Sequence, residues 1–207
     1  LLHYVGHIDR RGFDCADGHL DADTLGTVGV DAFVLNACRS FEQGAALVRA
    51  GAIAGIVTLH DVINDSAVRI GRSLARLLDC GFPLTGALDV AGTDNPAASQ
   101  YTVVGDGTLT LARTDGSTPN SPVVLDAEDD GDGYRMEFHA YPTSQATTGS
   151  MIRPYVEAND QHYLFSGHVD TFEMDADALR DFLALQTVPV RIDGELRWSD
   201  ELDLAAL

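Results

Sequence analysis

The sequence predicts an α/β fold over residues 1–95, a parallel sheet flanked by helices, followed by a β-rich region over residues 96–207. Three observations predict it. Leu1–Val5 is a short apolar run, Ala32–Leu35 reads as a buried strand, and Ile53–Leu59 has the uncharged, β-branched character of a strand buried between layers. Segments with helical apolar spacing lie among them, the alternation that parallel strands require of their connections. From Tyr101 onward the apolar period changes to two, punctuated by clusters of Asp, Gly, Pro, Asn and Ser.

The first strand stops at Gly6-His7, and the polar stretch Arg10–Leu25 carries an Asp17-Gly18 pair suited to a tight hairpin turn. Ala32–Leu35 is the second strand. Glu42–Ala50 is a short helix, with Ala45, Ala46, Leu47, Val48 and Ala50 ahead of a stop at Gly51. Ile53–Leu59 is the third strand, bounded by Gly51 and Asp61. Asn64 caps a longer helix whose apolar positions, Ala67, Val68, Ile70, Leu74, Leu77 and Leu78, keep helical spacing until Gly81. Pro83 opens another, with Leu84, Ala87, Leu88 and Ala91 on one side. A domain boundary is expected at Gly92–Ser99. Beyond it, "YTVVGDGTLTLA", "YRMEFHAY" and "HYLFSG" alternate between clusters such as "DAEDDGDG" at 126–133, and Asp175–Gln186 is the one clear helix, packing Leu179, Phe182 and Leu183.

Composition narrows the function classes. The chain has 32 acidic residues against 13 basic ones, all arginine, for a net charge of −19. A nucleic-acid backbone would be repelled, so no nucleic-acid partner is expected. No apolar run approaches the ~18–20 residues of a membrane span and no signal-peptide pattern opens the chain, so no membrane partner is expected either. The acids are spread through periodic apolar sequence, which marks a folded surface and not an acidic tail. A lysine-free surface of this kind is similar to that of haloarchaeal proteins, whose cytoplasm approaches saturation in potassium chloride. Cys15, Cys38 and Cys80 are an odd set without a disulfide pattern, in keeping with a reducing, cytoplasmic location. The start at Leu-Leu-His, inside an expected strand, implies that the natural polypeptide extends upstream.

In open parallel sheets the functional groups gather beyond the carboxyl ends of the strands. His7 follows the first strand there and Cys38 follows the second, in "VLNACRS". A thiolate is a nucleophile, and an imidazole beside it can take its proton and return it to a leaving amine. The plainer alternative makes Cys38 a small buried hydrophobe and His7 an ordinary loop histidine. A zinc site is disfavoured although His3, His7, Cys15 and His19 give H-x3-H and C-x3-H, because along a strand His3 and His7 stand ~13 Å apart. His139, His162 and His168 have no partner pattern, and no cofactor is expected.

The order "HYVGH", "LNACRS", "GAALVRAGAIAGIVTLHDVINDSA" and "LLDCGFPLTGALDVA", over residues 1 to about 92, resembles the CHAT family of caspase-like cysteine peptidases, with "QYTVVGDGTLTL" at 100–111 similar to a stretch often seen after such domains. "NACRS" is itself close to the Q-A-C-[RQG]-G of caspases. The resemblance implies a caspase-like sheet whose N-terminal part is absent here, a β-rich accessory region, and a dyad with Cys38 as nucleophile and His7 as general base. It further implies that the Cys38 N–H supplies half of an oxyanion hole and that the substrate is a protein or peptide. Gly6, Asn36 and His60 are the candidate substrate-binding residues at the same rim, with a packing role the alternative for His60, where the family more usually has an aromatic. An upstream sensor domain, or a partner chain completing the sheet, is expected to control activity. The family usually has glycine after the histidine, whereas Ile8 stands here. The rival implication is a catalytically silent caspase-fold module used for protein interaction.

Overall fold

The computed structural model describes residues 1–93, 95–114, 119–126, 133–147, 149–156, 159–165 and 167–203. They divide into two units, Leu1–Leu78 with Pro83–Leu111, and Asp79–Phe82 with Ala112–Leu207. The fold is mixed α/β, with both parallel and antiparallel strand pairs.

In the first unit, Leu2–Val5 (β1) leads into a small meander of Ile8–Asp9 (β2), Gly12–Cys15 (β3) and Gly18–Leu20 (β4). Ala32–Asn36 (β5), Phe41–Arg49 (α1), Ala54–Thr58 (β6), Asn64–Asp79 (α2), Leu84–Gly92 (α3) and Tyr101–Gly105 (β7) follow. The main sheet has the order β1-β5-β6-β7: β1, β5 and β6 are parallel, and β7 closes one edge antiparallel to β6. Every residue of β5 and β6 is buried, which is why both read as uninterrupted apolar runs. The edge strand β1 alternates instead, with Leu2 and Tyr4 half-buried and His3 and Val5 exposed.

One face of this sheet packs Phe33, Leu35 and Val57 with Ala46 and Leu47 of α1 and with Ile8 and Phe13 of the meander. Complete burial of Phe33 contributes about 1.5–3 kcal/mol, and it depends on Gly55, where a Cβ would lie 2.2 Å from the Phe33 ring. Asn36, on the alternate side of β5, bonds to the Ala67 carbonyl of α2. The α2 stripe Ala67, Ile70, Leu74, Leu77 and Leu78 is buried, as its spacing requires. The Asn64 side chain, expected to cap this helix, lies outside the described atoms. Gly51 and Gly81, both at positive φ, follow the ends of α1 and α2 where the sequence placed helix stops. Ala16 and Asp17 form the hairpin turn, one residue earlier than expected, because Cys15 pairs with Gly18.

The second unit contains Asn120–Asp126 (β8), Gly133–Ala140 (β9), Met151–Ile152 (β10), Tyr163–Leu164 (β11), Gly167–Asp175 (β12), Ala176–Ala184 (α4), Pro189–Ile192 (β13) and Glu195–Trp198 (β14). A five-stranded sheet runs β12-β9-β8-β13-β14, antiparallel except for the parallel pair of β8 and β13. Met136, Phe138, Ala140, Met174, Leu179 and Phe182 are among its core. Asp175 caps α4 by accepting the Ala178 N–H at 2.8 Å. The expected link at 126–133 lies, over residues 127–132, outside the described residues.

The division between units falls at Leu111 and Ala112, later than the boundary expected at Gly92–Ser99. The reason is pairing: Tyr101–Gly105 matches Thr58–Ala54 residue for residue and so belongs to the first sheet. Among the described residues no helix is long and apolar enough to cross a membrane.

Candidate active site

The register Leu2↔Phe33 through Val5↔Asn36 ends β1 and β5 side by side, and β5 pairs onward with β6 from Ala32↔Ala54 to Val34↔Ile56. His7 lies two residues beyond Val5, Cys38 two beyond Asn36, and His60 two beyond Thr58. Three parallel strands therefore deliver these residues to one rim, the carboxyl end of the sheet.

The turn that carries Cys38 is held by a reciprocal hydroxyl clamp. Ser40 N–H donates to Thr58 Oγ1 (3.1 Å) and Thr58 N–H donates to Ser40 Oγ (2.9 Å). Their hydroxyls in turn donate to the carbonyls of Leu35 and Ala37, and both residues are fully buried. Arg39 takes a left-handed conformation, φ +52°, with its N–H donating to the His60 carbonyl at 3.3 Å and its guanidinium paired with Asp61 at 2.9 Å. Cys38 is half-buried, its sulfur receiving the Val62 N–H at 3.5 Å. Among the described residues the Cys38 N–H has no hydrogen-bond acceptor.

Asn36, expected at a substrate pocket, is instead only 8% exposed and has both ends of its amide occupied. Its Nδ2 donates to Ala67 O at 3.0 Å and its Oδ1 accepts the Tyr101 hydroxyl at 2.7 Å. Burial, and secondarily the neighbouring Cys38, push the Tyr101 hydroxyl up to about 12, so it remains a donor at neutral pH. A buried amide with two specific partners fixes the relation of β5, α2 and β7 under the thiol turn.

His7 and His60 are exposed. The His7 carbonyl accepts the Asp14 N–H at 3.0 Å and the Tyr4 hydroxyl at 2.8 Å, which pins the backbone and leaves the imidazole at the surface. Among the described residues no hydrogen bond joins that imidazole to Cys38. Gly6 makes the pinning possible, since a Cβ there would lie 2.7 Å from the Tyr4 oxygen. Gly6→Ala is expected to displace the Tyr4 hydroxyl and cost about 1–3 kcal/mol, measurable by denaturant unfolding in molar salt; an unchanged midpoint would show that the ring moves aside freely.

Ile8 stands where the resembled family has glycine, and packing accounts for it: the side chain is 8% exposed in the core with Phe13. Asp14 N–H bonds to His7 O, which makes Ile8↔Phe13 the pair that exchanges no backbone bonds. The Ile8 N–H therefore points away from β3.

Cys15 is exposed and Cys80 half-buried. Outside the rim, one further constellation escaped sequence reasoning: Glu137, His139 and His168 in the second unit, whose ligand atoms lie within 4.8 Å of one another. Compared with protein-family models the chain matches none, and no curated protein matches it.

Proposed function

We propose that the first unit is the C-terminal part of a caspase-like cysteine peptidase domain that cleaves peptide bonds through an acyl-enzyme on Cys38. The observation that carries this reading is the β1–β5 register, which sends His7 and Cys38 off adjacent parallel strands in the same direction. In the reaction, Cys38 Sγ attacks the peptide carbonyl while His7 takes the thiol proton; collapse of the tetrahedral intermediate breaks the C–N bond as His7 returns that proton to the leaving amine. Water activated by His7 then hydrolyses the thioester. The unoccupied Cys38 N–H and the outward Ile8 N–H are candidate donors to the oxyanion, a role that needs backbone N–H groups and is indifferent to the Ile8 side chain. Gly6 and His60 flank the cleft, whereas Asn36 positions the thiol turn from beneath. Among the described residues β1 ends the strand order of its sheet, so its outer edge is where an upstream segment or partner chain would complete the sheet, and a sensor acting there would control cleavage of a protein or peptide substrate. The second unit is an accessory region, and the acidic, lysine-free surface fits a salt-rich cytoplasm.

A second reading, a silent interaction module, is favoured by the lack of a His7–Cys38 hydrogen bond. Labelling with a thiol-directed peptidyl electrophile, mapped by mass spectrometry, separates the two. The peptidase reading expects modification at half-buried Cys38 in preference to the more exposed Cys15. Labelling that follows exposure to Cys15, and spares Cys38 under every activating condition, would favour the interaction module.

A further inference from the structure

We propose that Glu137, His139 and His168 form a binding site for one divalent transition-metal ion of the zinc class. The strand pattern puts them together. Along β9, Met136, Phe138 and Ala140 enter the core, so Glu137 and His139 share the opposite face. His168 of β12 is the direct cross-strand partner of His139, and Thr171 is the partner of Glu137. A bulge between His168 and Asp170 sets two residues against Phe138 and thereby brings His168 level with His139. The two imidazole rings stand 5.2 Å apart, centroid to centroid, and His139 Nε2 lies 3.5 Å from Glu137 Oε2.

The donor chemistry selects the ion. Two imidazole nitrogens and one carboxylate form a set that zinc, cobalt and nickel accept, whereas calcium and magnesium prefer oxygen alone. Tetrahedral bonds of about 2.0–2.1 Å place donors roughly 3.3 Å apart, a separation that Glu137 and His139 nearly have. The exposed His168 closes the remainder by side-chain rotation. His139 Nε2 is itself buried and makes no hydrogen bond, and the nearest charged group is the Glu137 carboxylate at 3.5 Å, so a cation held between the two would satisfy both. Three protein donors leave a fourth position for water or an incoming group.

The test uses the untagged chain, stripped with a chelator and titrated with Co2+ in about 1 M potassium chloride, where a Debye length of about 3 Å suppresses diffuse binding to surface acids. One equivalent should bind with the visible absorption of tetrahedral cobalt, and Zn2+ but not Mg2+ should displace it. His139→Gln and His168→Gln should each weaken binding at least about tenfold, and the pair together should abolish the band, while His162→Gln leaves it intact. Circular dichroism of the metal-free variants reports folding. If His139→Gln unfolds, the exposed His168→Gln decides the matter alone. Absence of binding, binding only with an octahedral spectrum, or full affinity in His168→Gln would overturn the site.

Discussion

Replacing Cys38 with alanine is expected to abolish peptide cleavage while leaving the fold intact. The separation of the two effects follows from how the turn is built. The Ser40–Thr58 clamp and the Arg39–His60 bond hold the backbone without using the thiol, whose contacts among the described residues are long ones to the N–H and carbonyl of Val62. Thermal midpoints of Cys38→Ala and the parent should therefore agree closely, which identifies the loss as chemical. His7→Ala removes an exposed imidazole and should change stability by no more than about 0.5 kcal/mol. It should nevertheless lower the rate roughly 10²-fold or more, the scale of a lost general base. Added imidazole should restore part of that activity, which a merely structural role would not allow. Cys15→Ala and Cys80→Ala should remain nearly as active as the parent. The assay is made on the polypeptide as the cell produces it, in molar salt and with its activator. Cleavage that survives Cys38→Ala would place the nucleophile elsewhere.

Lowering the salt from molar potassium chloride to ~0.1 M is expected to cause a steep fall in stability. Two opposed terms decide the sign. Pairs such as Arg11–Asp9, Arg39–Asp61 and Arg49–Asp23 are exposed on both sides and strengthen as salt is withdrawn, but solvent screens each of them and leaves it little effect on stability. Against them stands a net charge of −19, whose mutual repulsion spreads from a Debye length of about 3 Å to about 10 Å over the same change. The excess acids outnumber the pairs, so repulsion wins. Each kcal/mol lost lowers the midpoint of a ~100-residue unit by roughly 4–8 °C. Melting curves across the series should record that descent, and a flat profile would contradict the halophilic reading.

The two central strands of the first sheet were legible because burial on both faces leaves a clear trace: Ala32–Asn36 and Ala54–Thr58 contain no charge, Asp31 precedes the first, and Gly51 and Asp61 flank the apolar run around the second. His7 and Cys38 were legible through them, since a residue just past a buried parallel strand has only one rim to occupy. The partners of Asn36 were not. Ala67 and Tyr101 lie 31 and 65 residues away, and no local pattern encodes such a contact. Tyr101 also explains the misplaced boundary, because an antiparallel edge strand after a Gly- and Pro-rich stretch has the same local signature as the start of a new domain. The Glu137–His139–His168 group was hidden for a further reason. Its geometry depends on a bulge in β12, an extra residue that breaks the two-residue alternation of that strand, so that His168 and Thr171, three apart, sit opposite His139 and Glu137.

The left-handed backbone at Arg39 limits how this part of the sequence can vary. A side chain at φ +52° is tolerated when it is unbranched at Cβ, and asparagine, aspartate and glycine enter that region most readily. Valine, isoleucine and threonine would clash there whatever their polarity. Position 39 is thus filtered by torsion before chemistry is consulted: the guanidinium that pairs with Asp61 is exchangeable, whereas the shape of the bond it hangs from is not. Related chains that preserve this turn should accordingly differ widely in charge at the residue after the cysteine while avoiding β-branched side chains, a constraint written in the main chain and visible only as a gap in the permitted alphabet.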